Sequence, residues 1–169
     1  MKTVEKESTL IGHHEIQFPN AKLIPEIARL LEDGHTVTLR LRGNSMRPFL
    51  EDNRDEALLA YTSHPKVGDA VLAEICPHIY ALHRIIRLDG DEITMRGDGN
   101  LQVERCLLSD VKGKAIGFYR KGRTKLDSTD GFKWRIYSFI WTRLFPLRRY
   151  LLFMLYPHVP RRIKKSFKS

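Results

Sequence analysis

The sequence predicts a mainly β domain with an N-terminal helix and a C-terminal basic, amphipathic helical tail. Three observations predict it. Residues 35–42, His-Thr-Val-Thr-Leu-Arg-Leu-Arg, alternate strictly between apolar and polar types, the period of a half-buried strand. Five more strand-like runs follow at 56–61, 69–75, 79–88, 92–96 and 111–119, separated by Pro65, Gly68, Pro77, Asp89-Gly90 and the segment 97–100. Beyond residue 131 the pattern becomes aromatic and aliphatic, interleaved with Lys and Arg.

Taken in order, residues 1–19 form a charged arm without the apolar run of a secretory leader, so a cytoplasmic location is expected. Residues 20–33 place Leu23, Ile27, Leu30 and Leu31 on one helical face, with Asn20 as N-cap and Gly34 as terminator. The alternating strand then delivers Ser45. Asp89-Gly90-Asp91 reads as a hairpin turn, because glycine supplies the positive φ that short turns demand. In the strand before that turn Ala81, His83 and Ile85 share one face, and Leu82, Arg84 and Ile86 the other. The expected division is an arm (1–19), a β domain with its leading helix (20–120), a polar linker (121–131) and the tail (132–169).

In the tail, Asp130 can cap a helix starting at Phe132, and Pro146 interrupts it, giving two short helices. Arg143, Arg148 and Arg149 fall mid-segment, and each arginine at a bilayer centre costs about 2.5 kcal/mol or more, so a membrane span is not expected. Trp134, Tyr137, Trp141, Tyr150 and Tyr156 are aromatic types favoured at the headgroup level. The reading is a helix pair lying peripherally on the inner membrane surface, with a partner protein as the alternative. Nucleic acid is not expected, since stacking aromatics for single strands usually sit on sheets or grooves rather than on an apolar helical face.

Of 169 residues, enough for one domain, 1–130 hold all 20 acidic residues and 19 of the 29 Lys and Arg; the other ten basic residues lie in a stretch with no acid. A nearly neutral domain thus carries a strongly basic tail. Cys76 and Cys106 form no Cys-x-x-Cys pair and fit thiols in a reducing compartment. His13, His14, His35, His64, His78 and His158 show no metal-ligand spacing. Neither a metal nor a cofactor is expected.

The chemistry lies in Gly43-Asn44-Ser45-Met46-Arg47-Pro48 and, 38 residues after the serine, in Leu82-His83-Arg84-Ile85-Ile86. A serine hydroxyl needs a base to take its proton, and an imidazole titrating near about pH 6.5 can serve. Gly-x-Ser-Met-x-Pro resembles the nucleophile motif of signal peptidase I and the LexA-type self-cleaving repressors, and His-Arg-Ile-Ile resembles their second catalytic segment. Where most bacterial members carry lysine, His83 is similar to the archaeal and endoplasmic-reticulum signal peptidases. Val67-Gly68-Asp69-Ala70-Val71 and Arg96-Gly97-Asp98-Gly99-Asn100 extend the resemblance over residues 35–120.

This resemblance implies a signal-peptidase/LexA-like β fold and a serine endopeptidase that cleaves a peptide or protein precursor through an acyl-enzyme. On this resemblance Ser45 is expected to be the nucleophile and His83 the general base. The Ser45 N–H, fixed by the turn, is the expected oxyanion donor, with Asn44 as a further side-chain donor and Met46 as a core anchor of the loop. The group expected to orient His83 is Asp98, in the Gly-Asp-Gly-Asn loop, or Glu104, which precedes Arg105 as the acid does in the reticulum-type enzymes, with water or a backbone carbonyl as the remaining alternative. The other function class is a catalytically silent LexA-like regulatory or interaction module.

Overall fold

The structure, a computed structural model, describes residues 20–156. Its elements are α1 (Asn20–Glu32), β1 (Val37–Arg40), β2 (Glu56–Ala60), β3 (Ala70–Cys76), β4 (Ile79–Asp89), β5 (Glu92–Arg96), β6 (Glu104–Leu107), β7 (Val111–Tyr119), β8 (Leu126–Ser128), α2 (Phe132–Arg143) and α3 (Phe145–Leu155). The strands form one antiparallel sheet in the order β1-β2-β7-β3-β4-β5-β6, with β8 pairing to β7. The chain is therefore mainly β, with one N-terminal and two C-terminal helices.

Helix α1 buries Ile24, Ile27, Ala28 and Leu31, an i, i+3, i+4, i+7 stripe. That face is rotated from the expected one: Leu30 is 46% exposed and Leu23 only partly buried. The helix ends as foreseen at Gly34 (φ +85°), where the Gly34 N–H donates to the Leu31 carbonyl (3.0 Å) and the His35 N–H to that of Leu30 (3.0 Å). Those two bonds satisfy carbonyls that the helix leaves without a partner.

Two apolar clusters lie on opposite faces of the sheet. Central strand β3 feeds both, sending Ala70 and Leu72 to the first and Val71 and Ala73 to the second. The first cluster joins α1, β1 and β2 to Met46, Phe49, Leu50 and Trp134; the second gathers Ile85, Ile93 and Met95. On β4, Leu82 belongs to the first cluster, while His83 pairs opposite Val71 and so takes the second face. The β4–β5 turn forms where expected, closed by the Asp89–Glu92 pair, with a bulge between Ile85 and Arg87.

Two short strands were not anticipated. β6 forms the edge beside β5, and β8 lies inside residues 121–131, the stretch expected to be a linker. The N-cap of α2 is Gly131 rather than Asp130, and Pro146 sits in the first turn of α3, where its missing N–H has no intrahelical acceptor to lose.

The larger departure concerns the tail. Trp134 and Trp141, expected at a lipid headgroup level, are buried in the protein. The Trp134 ring centroid lies 4.9 Å from both Phe49 and Phe118, and Tyr137 lies 4.6 Å from Phe49. Such aromatic pairs add about 0.5–1.5 kcal/mol each beyond the area they bury. Tyr156 is likewise engaged, donating to Glu51 Oε1 (2.7 Å) beneath the Arg47 guanidinium. Among the described residues, no helix is long and apolar enough to cross a membrane.

Candidate active site

The loop from β1 to β2 carries Ser45, and its ends are tied together. The Leu41 N–H donates to the Asp55 carbonyl (2.9 Å) and the Asn53 N–H to the Leu41 carbonyl (2.8 Å), while Met46, Phe49 and Leu50 sink into the first cluster. The Asp55 carboxylate, fully buried, accepts from the Arg54 guanidinium (2.8 and 2.9 Å), the Glu51 N–H (3.0 Å) and the Lys121 N–H (2.9 Å). Burial opposes its charge, but Arg54 and the two backbone donors outweigh burial and hold the carboxyl below its ordinary range. Asp52 accepts from the Gly43 N–H (2.7 Å) at the loop's entry. The Arg47–Pro48 peptide is cis.

His83 arrives from β4, 3% exposed. Its Nδ1 is hydrogen-bonded to the carboxylate of Glu104 on β6. With Nδ1 as the donor, Nε2 carries the lone pair. That nitrogen and the Ser45 carbonyl both lie close to Gly97. A methyl group on Gly97 would collide with the Ser45 carbonyl oxygen and stand 3.0 Å from His83 Nε2. At Gly99, a methyl would lie 2.5 Å from the Asn44 carbonyl, and the Gly99 N–H donates to the Ser45 carbonyl (2.7 Å). Two glycines thus let the 97–99 loop press flat against the backbone of the serine.

Of the two candidate acids, Glu104 is the one hydrogen-bonded to His83. Asp98 turns away from His83, into a buried ion pair. Arg84 Nε and Nη2 donate to its two carboxylate oxygens at 2.9 and 2.7 Å, and both side chains are 1% exposed. Tyr137 donates its hydroxyl to Asp98 Oδ2 (3.0 Å), Trp141 its indole N–H to the Asp98 carbonyl (3.0 Å), and Arg148 stands 3.9 Å from Oδ1. Arg84 also donates to the Gly68 carbonyl and Ser138 Oγ, and stacks 4.4 Å over Trp134. Burial works against the Arg84 charge, yet Asp98 outweighs it and raises the pKa. At Arg148, burial wins and lowers the pKa to about 10. Asp98 therefore braces the 97–99 loop from behind, with help from α2 and α3 that the sequence reading did not foresee. One signal was available: Arg84 shares a strand face with Leu82, and an arginine on a core-facing position needs an acid partner.

The Ser45 hydroxyl makes no hydrogen bond to His83 among the described residues, and neither does the Ser45 N–H meet a protein acceptor. Asn44 is exposed, and its carbonyl accepts from the Arg47 N–H (3.2 Å). Ser45 and Met46 border a cleft of about 410 Å³ whose walls include Leu39, Leu41, Leu72, Tyr80 and Leu82. β1, an edge strand of the sheet among the described residues, runs along it. Among the described residues no cluster of three or more His, Cys, Asp or Glu side chains is arranged to hold a metal ion. No family model matches the chain, and no curated protein matches its sequence.

Proposed function

We propose that the chain is a serine endopeptidase with a Ser/His centre, similar in fold and chemistry to signal peptidase I and the LexA-type peptidases. The observation that carries this reading is the fixing of His83. Glu104 holds Nδ1, and Nε2 and the Ser45 carbonyl both lie beside Gly97. A carboxylate on the far nitrogen sets the tautomer and stabilises the imidazolium that catalysis creates.

In the proposed reaction an extended peptide lies in the cleft along the β1 edge. Ser45 Oγ attacks the scissile carbonyl carbon while His83 Nε2 takes the hydroxyl proton. The Ser45 N–H, which has no acceptor within the described protein, donates to the oxyanion. Collapse of the tetrahedral species breaks the C–N bond, and His83 returns the proton to the leaving amine. Water then attacks the ester, His83 accepts its proton, and the acid product leaves as the proton returns to Ser45. The cleft offers aliphatic side chains from Leu39, Leu41, Leu72 and Leu82 beside the charged Arg40, Arg42, Glu51 and Glu56, so it would hold a precursor of mixed polarity.

The test is covalent labelling by a serine-directed acylating probe. Labelling confined to Ser45 and lost in both Ser45→Ala and His83→Ala supports the reading. Absence of labelling, with the fold intact, favours the silent interaction module, for which the unmade Ser45–His83 hydrogen bond speaks.

A further inference from the structure

Each C-terminal helix has a side the core uses and a side it leaves uncovered. On α2, Trp134, Tyr137, Ser138 and Trp141 turn inward to the first cluster and to the Arg84–Asp98 pair. The opposite side presents Phe132, Ile136, Phe139 and Ile140, spaced i, i+4, i+7, i+8 and therefore one stripe. On α3, Arg148 turns inward and Tyr150, Phe153 and Met154 stand out, 71%, 64% and 70% exposed. So dense an exposed apolar face marks an interaction surface on a soluble domain.

Its charge says what kind. Arg135, Arg143 and Arg149 are exposed on the same two helices, and none is ion-paired among the described residues. The Arg143 guanidinium lies 3.7 Å from the centre of the Phe139 ring, so cation and apolar stripe occupy one level. The core of a protein–protein interface is depleted of charge. A headgroup layer supplies what this face needs, with phosphate oxygens directly above acyl chains. At 12 and 11 residues, neither helix can cross a bilayer.

We propose that the outer face of α2 and α3 is a docking surface for an anionic lipid bilayer, with both helices lying in the headgroup plane. The lipid-facing set is phenylalanine, isoleucine, methionine and Tyr150, while the tryptophans serve the fold. The proposal stands independently of the chemistry at Ser45.

The experiment is co-sedimentation of the full chain with vesicles of phosphatidylcholine alone, of phosphatidylglycerol alone and of an equal mixture, at low and high salt. Binding to the phosphatidylglycerol vesicles should exceed binding to phosphatidylcholine by about tenfold or more and weaken with salt, since basic side chains near an anionic surface are attracted to it and salt screens that attraction. Phe139→Asp/Phe153→Asp should reduce it at least tenfold with an unchanged melting temperature. If that pair disturbs folding, Tyr150→Ser/Met154→Ser replaces it. Failure to sediment with phosphatidylglycerol vesicles overturns the proposal, as does full binding by a folded double variant. A solution dimer dissolved by the same substitutions also overturns it, because the face would then belong to a second copy.

Discussion

Replacing Asp98 with alanine leaves the Arg84 guanidinium, 1% exposed, without its bidentate carboxylate. Removing one member of a buried ion pair costs about 3–5 kcal/mol, chiefly from the stranded charge. Two features moderate this: Arg84 keeps its bonds to the Gly68 carbonyl and Ser138 and its stack on Trp134. Two aggravate it, since Tyr137 loses its acceptor and Arg148 its nearest carboxylate. The net expectation is a loss of about 3 kcal/mol. With a urea m-value of about 2 kcal/mol/M, the unfolding midpoint should fall by about 1.5 M. The paired replacement Arg84→Met/Asp98→Leu removes both charges and should restore most of the loss, because a well-packed apolar pair can match a buried salt bridge. Equilibrium urea unfolding followed by tryptophan fluorescence reads both values. A loss below about 1 kcal/mol for Asp98→Ala, or a double variant weaker than the single, would refute the stranded-charge reasoning.

Glu104→Gln should slow acylation of Ser45 by about a hundredfold or more, because the amide no longer stabilises an imidazolium, and a change under threefold in probe-labelling kinetics would show that the carboxylate does not act through His83. Gly97→Ala forces a methyl into the Ser45 carbonyl and should cost about 1–3 kcal/mol in thermal unfolding; an unaltered melting temperature would mean the loop yields freely. Burial first, then the Asp110 and Glu104 carboxylates, push the Cys106 thiol from 9.0 to about 11, so at mildly alkaline pH a disulfide reagent should titrate exposed Cys76 well before Cys106. The sign for stability follows: between pH 9.0 and about 11 the unfolded thiol ionises and the folded one does not, so stability should decline across that window and Cys106→Ala should flatten the decline.

Much of the sheet was legible because β1, β3, β4, β5 and β7 carry alternation or continuous apolar runs, the direct imprint of one or two buried faces. β6 and β8 were not. Their sequences, Glu-Arg-Cys-Leu and Leu-Asp-Ser, are short and charged, as edge strands tend to be, and owe their form to the partner they pair with. Parity placed His83 and Arg84 on opposite faces of β4, yet it could not say which of Asp98 and Glu104 would meet His83. That choice depends on a bulge after Ile85 and on a loop, where the two-residue period carries no information. The helices failed differently. On α2 apolar and polar side chains are spread around the whole helix, so its sequence marks no inward side; in the structure Tyr137 and Trp141 turn to Asp98 and Trp134 to Phe49 and Phe118.

That pair also bears on the order in which the molecule can be completed. Residue 98 is translated well before residues 137, 141 and 148, yet all three are needed to finish its surroundings. A nascent chain can pair its strands and bring Arg84 to Asp98 while the final helices are still within the ribosome. The loop behind Ser45 is braced only after they emerge and dock. Synthesis itself thus acts as a timer on the candidate site. A nick in residues 121–131 that released α2 and α3 would undo the same step, leaving a β sheet with its ionic centre open to water.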